Sequence, residues 1–536
     1  MIIRFRTLAA AFLLAAAATP AMGQTTNPPV TVPVQGPSGL DVLRYGYVTF
    51  DRTLPGSRAK SMGGAGLALS PDVNGASLNP ANFSLLSAPE LSADTRWMSG
   101  SSTATDSPEG FPSPLGTEFP IREYSPSLTR NYTYNDLAFG MPLIFLGLRA
   151  GVGATYRRLI DFRSGSEERF VVESPFGEAD FGAGEQYKGG VDSFSPSFSV
   201  SLASRFSLGA TLNFMTGDIT SEGDQGVTSF GQVVTSGFVK LDQEVNGTSV
   251  DFGGRFDLTP SLSFSGVLQT GHDLKFTSGD DQFQGLLDPT DPDPTPIIYD
   301  RALLDHTLSV PAMYGLGMAW RTMNNRLTLA ADYWNRGWSK ATFTRQGFST
   351  LTVFPDSLNL GTNFTAVIPN GTETQKKAGF KDTNSFRIGG EWLVKGDGGA
   401  GMTIPLRLGF RNEPRSFANI DTTEFNALVK RIDVAAGAAN MPVAERQAII
   451  ADAMDEIFQN GSLLLEGDDV PATTVTFGTG IKVDSFSFDL GLAWTSYEFT
   501  HLFLGSFNDF TRNIHIDTVT EDRSFTEMNF TATLRF

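Results

Sequence analysis

The chain has 536 residues, with 56 Gly, 43 Phe, no Cys and 18% charged residues. That composition suits many strands and turns rather than helical bundles, and the lack of cysteine excludes a disulfide framework or a lipid-anchor cysteine. A net charge of −18 with a pI near 4.7 argues against nucleic acid as a partner and fits a solvated acidic surface.

The amino terminus reads as a processing segment. Arg4 and Arg6 precede an apolar run from Leu8 to Ala18, about 11 residues and too short to span a bilayer. Ala21-Met22-Gly23 places small residues before a cut at Gln24, so residues 1–23 are expected to be a signal peptide. No other run of about 18 apolar residues occurs, so a membrane location requires a closed barrel, whose backbone groups pair internally. Residues 24–89 form an amino-terminal region. Gln24–Gly39 is a Pro-, Thr- and Val-rich lead, and Leu40–Phe50 fits either a helix or a strand. Gly56 to Asn82 is dense in Gly, Ser, Asn and Pro, which predicts a compact irregular unit rather than a strand.

From Leu91 onward, period-two alternation recurs. It predicts fourteen strands, over 90–99, 133–142, 147–158, 192–204, 206–216, 247–258, 260–272, 309–322, 326–338, 383–394, 402–412, 472–483, 485–499 and 524–536. The fourth is the cleanest: Phe194, Pro196, Phe198, Val200 and Leu202 alternate with Ser195, Ser197, Ser199 and Ser201. The last ends on the aromatic Phe536. Short links (142–146, near 204–206, 257–261, 322–325, 395–401, 482–485) alternate with long ones (100–132, 159–191, 217–246, 273–308, 339–382, 413–471, 500–523). An even strand number with sorted loop lengths predicts an all-β fold, a 14-stranded antiparallel transmembrane β-barrel over residues 90–536. Its long loops would be extracellular, and its short turns and both termini periplasmic. Trp97, Tyr156, Trp320, Trp334, Trp338, Trp392, Trp494 and Tyr497 fall near strand ends and are expected in the interfacial girdles. Within the loop 413–471, Glu424–Asn460 carries apolar residues at helical spacing and predicts two short extracellular helices, which cap the mouth or simply pack on themselves.

Fourteen strands enclose a lumen too wide for side chains alone to fill. The Gly56–Asn82 unit is therefore expected to fold back as a hatch, or plug, inside the barrel. The predicted inward face carries Arg149, Asp251, Arg255, Asp332, Arg387, Glu391, Arg407, Arg411, Asp489, Glu527 and Arg535, with both signs expected to pair with each other and with the plug. Arg387 and Arg411 fall nearest the outer half and are candidate contacts for an anionic head group. The run Asp280, Asp281, Asp288, Asp291, Asp293 is interleaved with prolines, which favours a solvated loop over a cation site. Only His272, His306, His501 and His515 occur, none beside a nucleophile arrangement, so no catalytic residue, metal or cofactor is expected.

Gly63-Gly64-Ala65-Gly66, followed by Asp72, Asn74 and Asn79-Pro80-Ala81, resembles the FadL/TodX family of outer-membrane transporters for long-chain fatty acids and other hydrophobic compounds. Val310-Pro311-Ala312, the stretch from Leu327 to Lys340, and Pro405 to Pro414 are similar to later segments of the family. The resemblance implies a monomeric barrel in outer-membrane lipid and lipopolysaccharide, assembled through its carboxyl-terminal strand by the barrel-assembly machinery. It implies passive uptake of hydrophobic molecules past a hatch made by Gly63, Gly64, Gly66, Asn74, Asn79, Pro80 and Ala81. It further implies a lateral opening at a kink in the third strand, where Gly147, Gly151 and Gly153 lie. The alternative is a barrel of the same superfamily that serves a secretion system as a shuttle, or binds protein structurally.

Overall fold

A computed structural model describes residues 52–69, 72–105, 111–112, 118–119, 121–128, 130–174, 177–229, 232–279, 283–287, 297–298, 305–322, 324, 326–353, 364–378, 380–395, 402–417, 419, 427, 430–431, 434, 449, 467–503, 507–508, 513–514 and 517–536. The expected signal peptide, the lead to Phe50, the acidic run and most of the helical loop lie outside these residues.

Among the described residues, fourteen antiparallel strands close into one barrel. They are β1 Glu90–Ala104, β2 Arg130–Phe145, β3 Leu148–Asp161, β4 Gly177–Ala203, β5 Phe206–Ser229, β6 Gln232–Asp257, β7 Leu262–Gln269, β8 Met313–Arg321, β9 Leu327–Arg336, β10 Thr383–Lys395, β11 Thr403–Asn412, β12 Thr473–Val483, β13 Phe486–Phe503 and β14 Asp517–Arg535. Each pairs with its sequence neighbour, and β14 returns to β1 in register from Glu90↔Arg535 to Ala104↔Glu521. Arg535 donates to Glu90 at 2.7 Å, and the Phe536 N–H donates to the Pro89 carbonyl, fastening this seam. Closure leaves the barrel no free sheet edge.

The alternation sorts side chains as a spanning barrel requires. On β4, Phe194, Phe198 and Leu202 face outward while Ser193, Ser195 and Ser199 are buried inward. The same parity places Leu212 and Phe214, Phe252 and Phe256, Leu406 and Leu408, and Phe486 and Phe488 on the outside. No described helix is long and apolar enough to cross a membrane. One end of the barrel has tight turns, with positive φ at Leu146, Gly147 and Asp484.

At the other end, several expected loops prove to carry strand, among them 159–191, 217–246 and 339–382, where Thr342–Val353 pairs with Phe364–Lys377. β5 and β6 pair out to Ser229↔Gln232 with one register shift between Val233 and Thr235, and Ser164–Ser174 pairs with the first part of β4. Here 217–246 carries polar residues on both faces, so it lacks the apolar outward signal that reveals the spanning part. A second correction concerns the aromatics. Tyr156, Trp320, Trp392 and Trp494 do face outward, but Trp334, Trp338 and Tyr497 are buried. Trp334 and Tyr497 share strand parity with inward Asp332 and Asp489, which directs them into the lumen.

Candidate functional site

Residues 52–69 and 72–86 lie inside the ring. Small residues dominate here, so backbone rather than side chain approaches the wall. A short helix, α1 (Ser57–Ser61), is followed by Gly63 and Gly64 at φ of 68° and 84°, a left-handed region that favours glycine. A second helix, α2 (Val73–Leu78), is capped by Asp72, which accepts from the Gly75 N–H at 2.7 Å. Asn79 then accepts from the Ala81 N–H and starts a 3-10 turn over Pro80–Leu85, with Pro80 in the first position, where no N–H is needed.

Wall residues hold this segment from all sides. The Ser57 N–H donates to Thr531 on β14, and the Gly63 N–H donates to Thr476 on β12. Asp332 on β9 accepts from the N–H groups of Gly66 and Leu67 at 2.7 and 3.0 Å. Asn74 donates to Ser92 on β1, and Asn79 to the Gly254 carbonyl on β6. Arg255 donates to the Leu69 carbonyl, and Arg149 to those of Leu85 and Leu86. Two cations of α1 complete the anchorage. Arg58 bridges Asp72 and Glu391, and Arg407 holds Glu391 and Asp489 in turn. Lys60 lies 3.4 Å from Asp94 on β1 and 3.3 Å from Glu527 on β14, and also donates to Asn529. The expected mutual pairing of the inward charges is thus observed. Every charge in these bridges has a counter-charge, as burial requires.

Glycines make flat beds on the wall where this segment lies. A Cβ at Gly151 or Gly153 of β3 would meet Phe83, and one at Gly253 of β6 would meet Asn79 and Pro80. Phe83 itself is fully buried, in a cluster with Val73, Ala76, Leu86 and Ala138, and Ala81 is buried as well. Gly147, Gly151 and Gly153, where a kink is expected, have separate surroundings. Gly147 forms the tight turn. β2–β3 pairing runs without slip through Gly151 and Gly153, and the register shift on β3 falls beside Leu159. The two strand glycines leave room for Phe83.

Arg387 and Arg411 are direct cross-strand partners, and both reach Glu413, just beyond β11. Arg336, not singled out in the sequence, joins them: Arg336 and Arg387 approach one carboxylate oxygen at 2.8 and 2.6 Å, and Arg411 the other at 3.2 Å. Burial would raise the Glu413 carboxyl, but Arg387, Arg336 and Arg411 together hold it well below the usual carboxylate range. Arg336 and Arg387 also lie 5.7 Å from the centre of the Trp334 ring. Parity could have found Arg336, since it continues the inward run Asp332, Trp334. Glu413 gave no such signal, because its partners come from three strands.

At the loop end, an apolar body closes over the ring. Leu159, Phe162, Met215, Phe276, Trp338 and Phe343 are among its buried members, drawn from β3, β5 and the links that follow β3, β7 and β9. The lumen thus combines an apolar cluster and a charged cluster toward the loop end with a tethered inner segment.

No family model and no curated protein matches the chain. Among solved structures, a Pseudomonas aeruginosa FadL homologue aligns at TM-score 0.51 and 11% identity, over 91% of this chain and 99% of that one. This likeness is one of fold. The CymD monoaromatic hydrocarbon channel aligns at TM-score 0.47 and 13% identity, over 91% of this chain and 99% of that one. The Ralstonia pickettii toluene transporter TbuX aligns at 0.46 and 13%, over 91% of this chain and all of that one.

Proposed function

We propose that the chain is an outer-membrane channel for passive uptake of hydrophobic small molecules, of the long-chain fatty acid or hydrocarbon type. The observation that carries this reading is an apolar cluster at the loop end together with a segment tethered across the lumen. An aqueous porin has a polar, open bore. Here an apolar cluster stands at the loop end, and residues 52–86 cross the lumen below it, held from many strands. That combination admits an apolar solute and retards water and ions.

In this reading residues 52–86 are a hatch. Gly63, Gly64, Gly66, Asn74, Asn79, Pro80 and Ala81 set its shape, and the Gly151 and Gly153 bed of β3 is the wall it moves against. Arg387 and Arg411 face the polar end of a ligand that has one. The barrel sits as a monomer in outer-membrane lipid and lipopolysaccharide, long loops outside and both termini in the periplasm. Its last strand, ending on exposed Phe536, is the segment that the barrel-assembly machinery reads.

The test is purified protein in liposomes, comparing entry of a hydrophobic fluorophore with swelling in a small sugar. Fluorophore entry above protein-free vesicles, without sugar swelling, is expected. Fast sugar permeation with no gain for the hydrophobe would sink the reading.

A further inference from the structure

The turn between β2 and β3 is apolar where its counterparts are polar. Leu143, Ile144, Phe145, Leu146 and Leu148 follow one another with only Gly147 among them. Three other turns at this end of the barrel read Ser204-Arg205, Thr259-Pro260-Ser261 and Asp484-Ser485. Phe145 pairs with Leu148, so Leu146 and Gly147 form a two-residue loop, with φ of 51° and 78°. Two positive φ values in such a loop favour Asn-Gly or Asp-Gly. In the β12–β13 turn, where Val483 pairs with Phe486, the left-handed residue is Asp484, with φ of 49°. A leucine in that conformation is strained. Leu146 is also 86% exposed, so packing inside the barrel does not offset the strain.

Both faces of this hairpin tip are apolar. Phe145 and Leu148 continue the outward face, and the Phe145 ring packs edge-on against outward Phe198 of β4, at 5.6 Å between centres. The outward apolar surface of Leu137, Phe139 and Met141 on β2 thus runs on to the tip. Ile144 has the opposite parity, shared with buried Ala138 on the lumen side, yet it is 73% exposed. A tip standing in water below the lumen would carry a polar residue there. No charged residue falls from Pro142 to Leu148. Contiguous exposed apolar surface marks contact with a membrane or a protein. A protein groove covers one face of a hairpin, whereas acyl chains surround both, and this surface is continuous with the outward apolar face of the barrel.

We propose that the β2–β3 turn is a finger inserted in lipid. Ile144, Phe145, Leu146 and Leu148 lie among the phospholipid acyl chains of the leaflet at the turn end, the inner leaflet in the orientation given above. The polar turns around it meet water at the head groups. From outward Tyr134 to Leu146, β2 and its turn exceed the roughly 9–11 residues that cross a bilayer, and an apolar stretch longer than the membrane is accommodated by tilt. The barrel therefore leans toward β2 and β3. The finger also steadies the inner segment: Arg149, paired with Ile144, donates to the Leu85 and Leu86 carbonyls. Insertion of the finger does not depend on what the channel carries.

The chain has no cysteine, so a single introduced cysteine reports depth without background. Leu146→Cys, Ile144→Cys, Leu137→Cys and Asp484→Cys, each in the whole protein, are labelled with a small environment-sensitive fluorophore in phosphatidylcholine vesicles. Quenching by nitroxides on the lipid acyl chains is compared with quenching by iodide in the water. Leu137 is the outward apolar reference and Asp484 the turn in water. The labels at Leu146 and Ile144 should match Leu137 in acyl-chain quenching and fall several-fold below Asp484 in iodide quenching. Either position decides the question if the other variant fails to assemble. Iodide quenching at Leu146 and Ile144 equal to that at Asp484, with weak acyl-chain quenching, would overturn the proposal and leave the tip as a surface for a protein groove. Leu146 in lipid with Ile144 in water would overturn insertion of both faces. Iodide quenching at Leu137 as strong as at Asp484 would overturn the membrane barrel itself, and the finger with it.

Discussion

The seat of Phe83 on β3 can be tested as a two-residue cycle. The Phe83 ring is fully buried and lies where Gly140, Gly151 and Gly153 leave space. Phe83→Ala removes a buried aromatic and leaves a void, at a cost of about 3–5 kcal/mol. Because each 1.4 kcal/mol is a factor of ten, the ratio of seated to unseated hatch should fall by roughly a hundred- to a few-thousand-fold. Gly153→Ala places a methyl group inside the ring position and should cost about 1–3 kcal/mol by overpacking. In the double variant that methyl occupies part of the void, so the two costs should fall short of their sum by about 1 kcal/mol or more. Single-channel recording in planar bilayers reads the effect directly, as the fraction of time each protein conducts salt. Gly182→Ala, where an added Cβ meets nothing within 4 Å, is the control. Strictly additive changes in the logarithm of the open fraction, or a silent Gly153→Ala, would refute the packing argument.

Three further outcomes are expected. Asp332→Ala leaves the Gly66 and Leu67 N–H groups without their acceptor, so hatch seating should weaken by about 1–3 kcal/mol, read as faster protease cleavage between α1 and α2. Lys60→Met removes the α1 cation from Asp94 and Glu527, leaving Arg96 beside them, at a cost of about 1–3 kcal/mol, and the gel-shift assay for folded barrel should show slower assembly. His272 begins a short strand beyond β7, where burial and then Arg52 push its imidazole down to about 4. An unfolded histidine binds its proton nearer 6.5, so the unfolded state holds more protons between these values and stability must fall as pH drops from 6.5 to 4. The loss is roughly 2–3 kcal/mol, and in melting curves His272→Gln should remove that part of the pH dependence.

Period two carried most of the fold. Any spanning strand must show apolar residues to lipid on one face, so its location and parity are written locally, as in Phe194, Phe198 and Leu202. The same parity assigns Trp334 and Tyr497 to the lumen, whereas grouping aromatics by nearness to strand ends does not. Strand extension at 217–246 was hidden, because outside lipid neither face needs apolar residues. The inner segment was legible as leftover chain rich in Gly, Asn and Pro. Its partners were not: Lys60 meets Asn529, 469 positions away, and Ser57 meets Thr531, 474 positions away. Gly151 and Gly153 were visible as glycines, but their purpose depends on Phe83, which no local pattern connects to them.

The bonds made by α1 join the ends of the chain as well as closing the lumen. Lys60 touches Asp94 on the first strand and Asn529 on the last, while Ser57 and Asp94 both bond Thr531. The seam where the barrel finally shuts therefore has three participants, and the third is the inner segment. Shutting the ring and seating α1 are linked: a seam formed without α1 would lose the Lys60 cation beside Asp94 and Glu527 and the Ser57 bond to Thr531. In the finished molecule, α1 works as a suture between the first strand and the last.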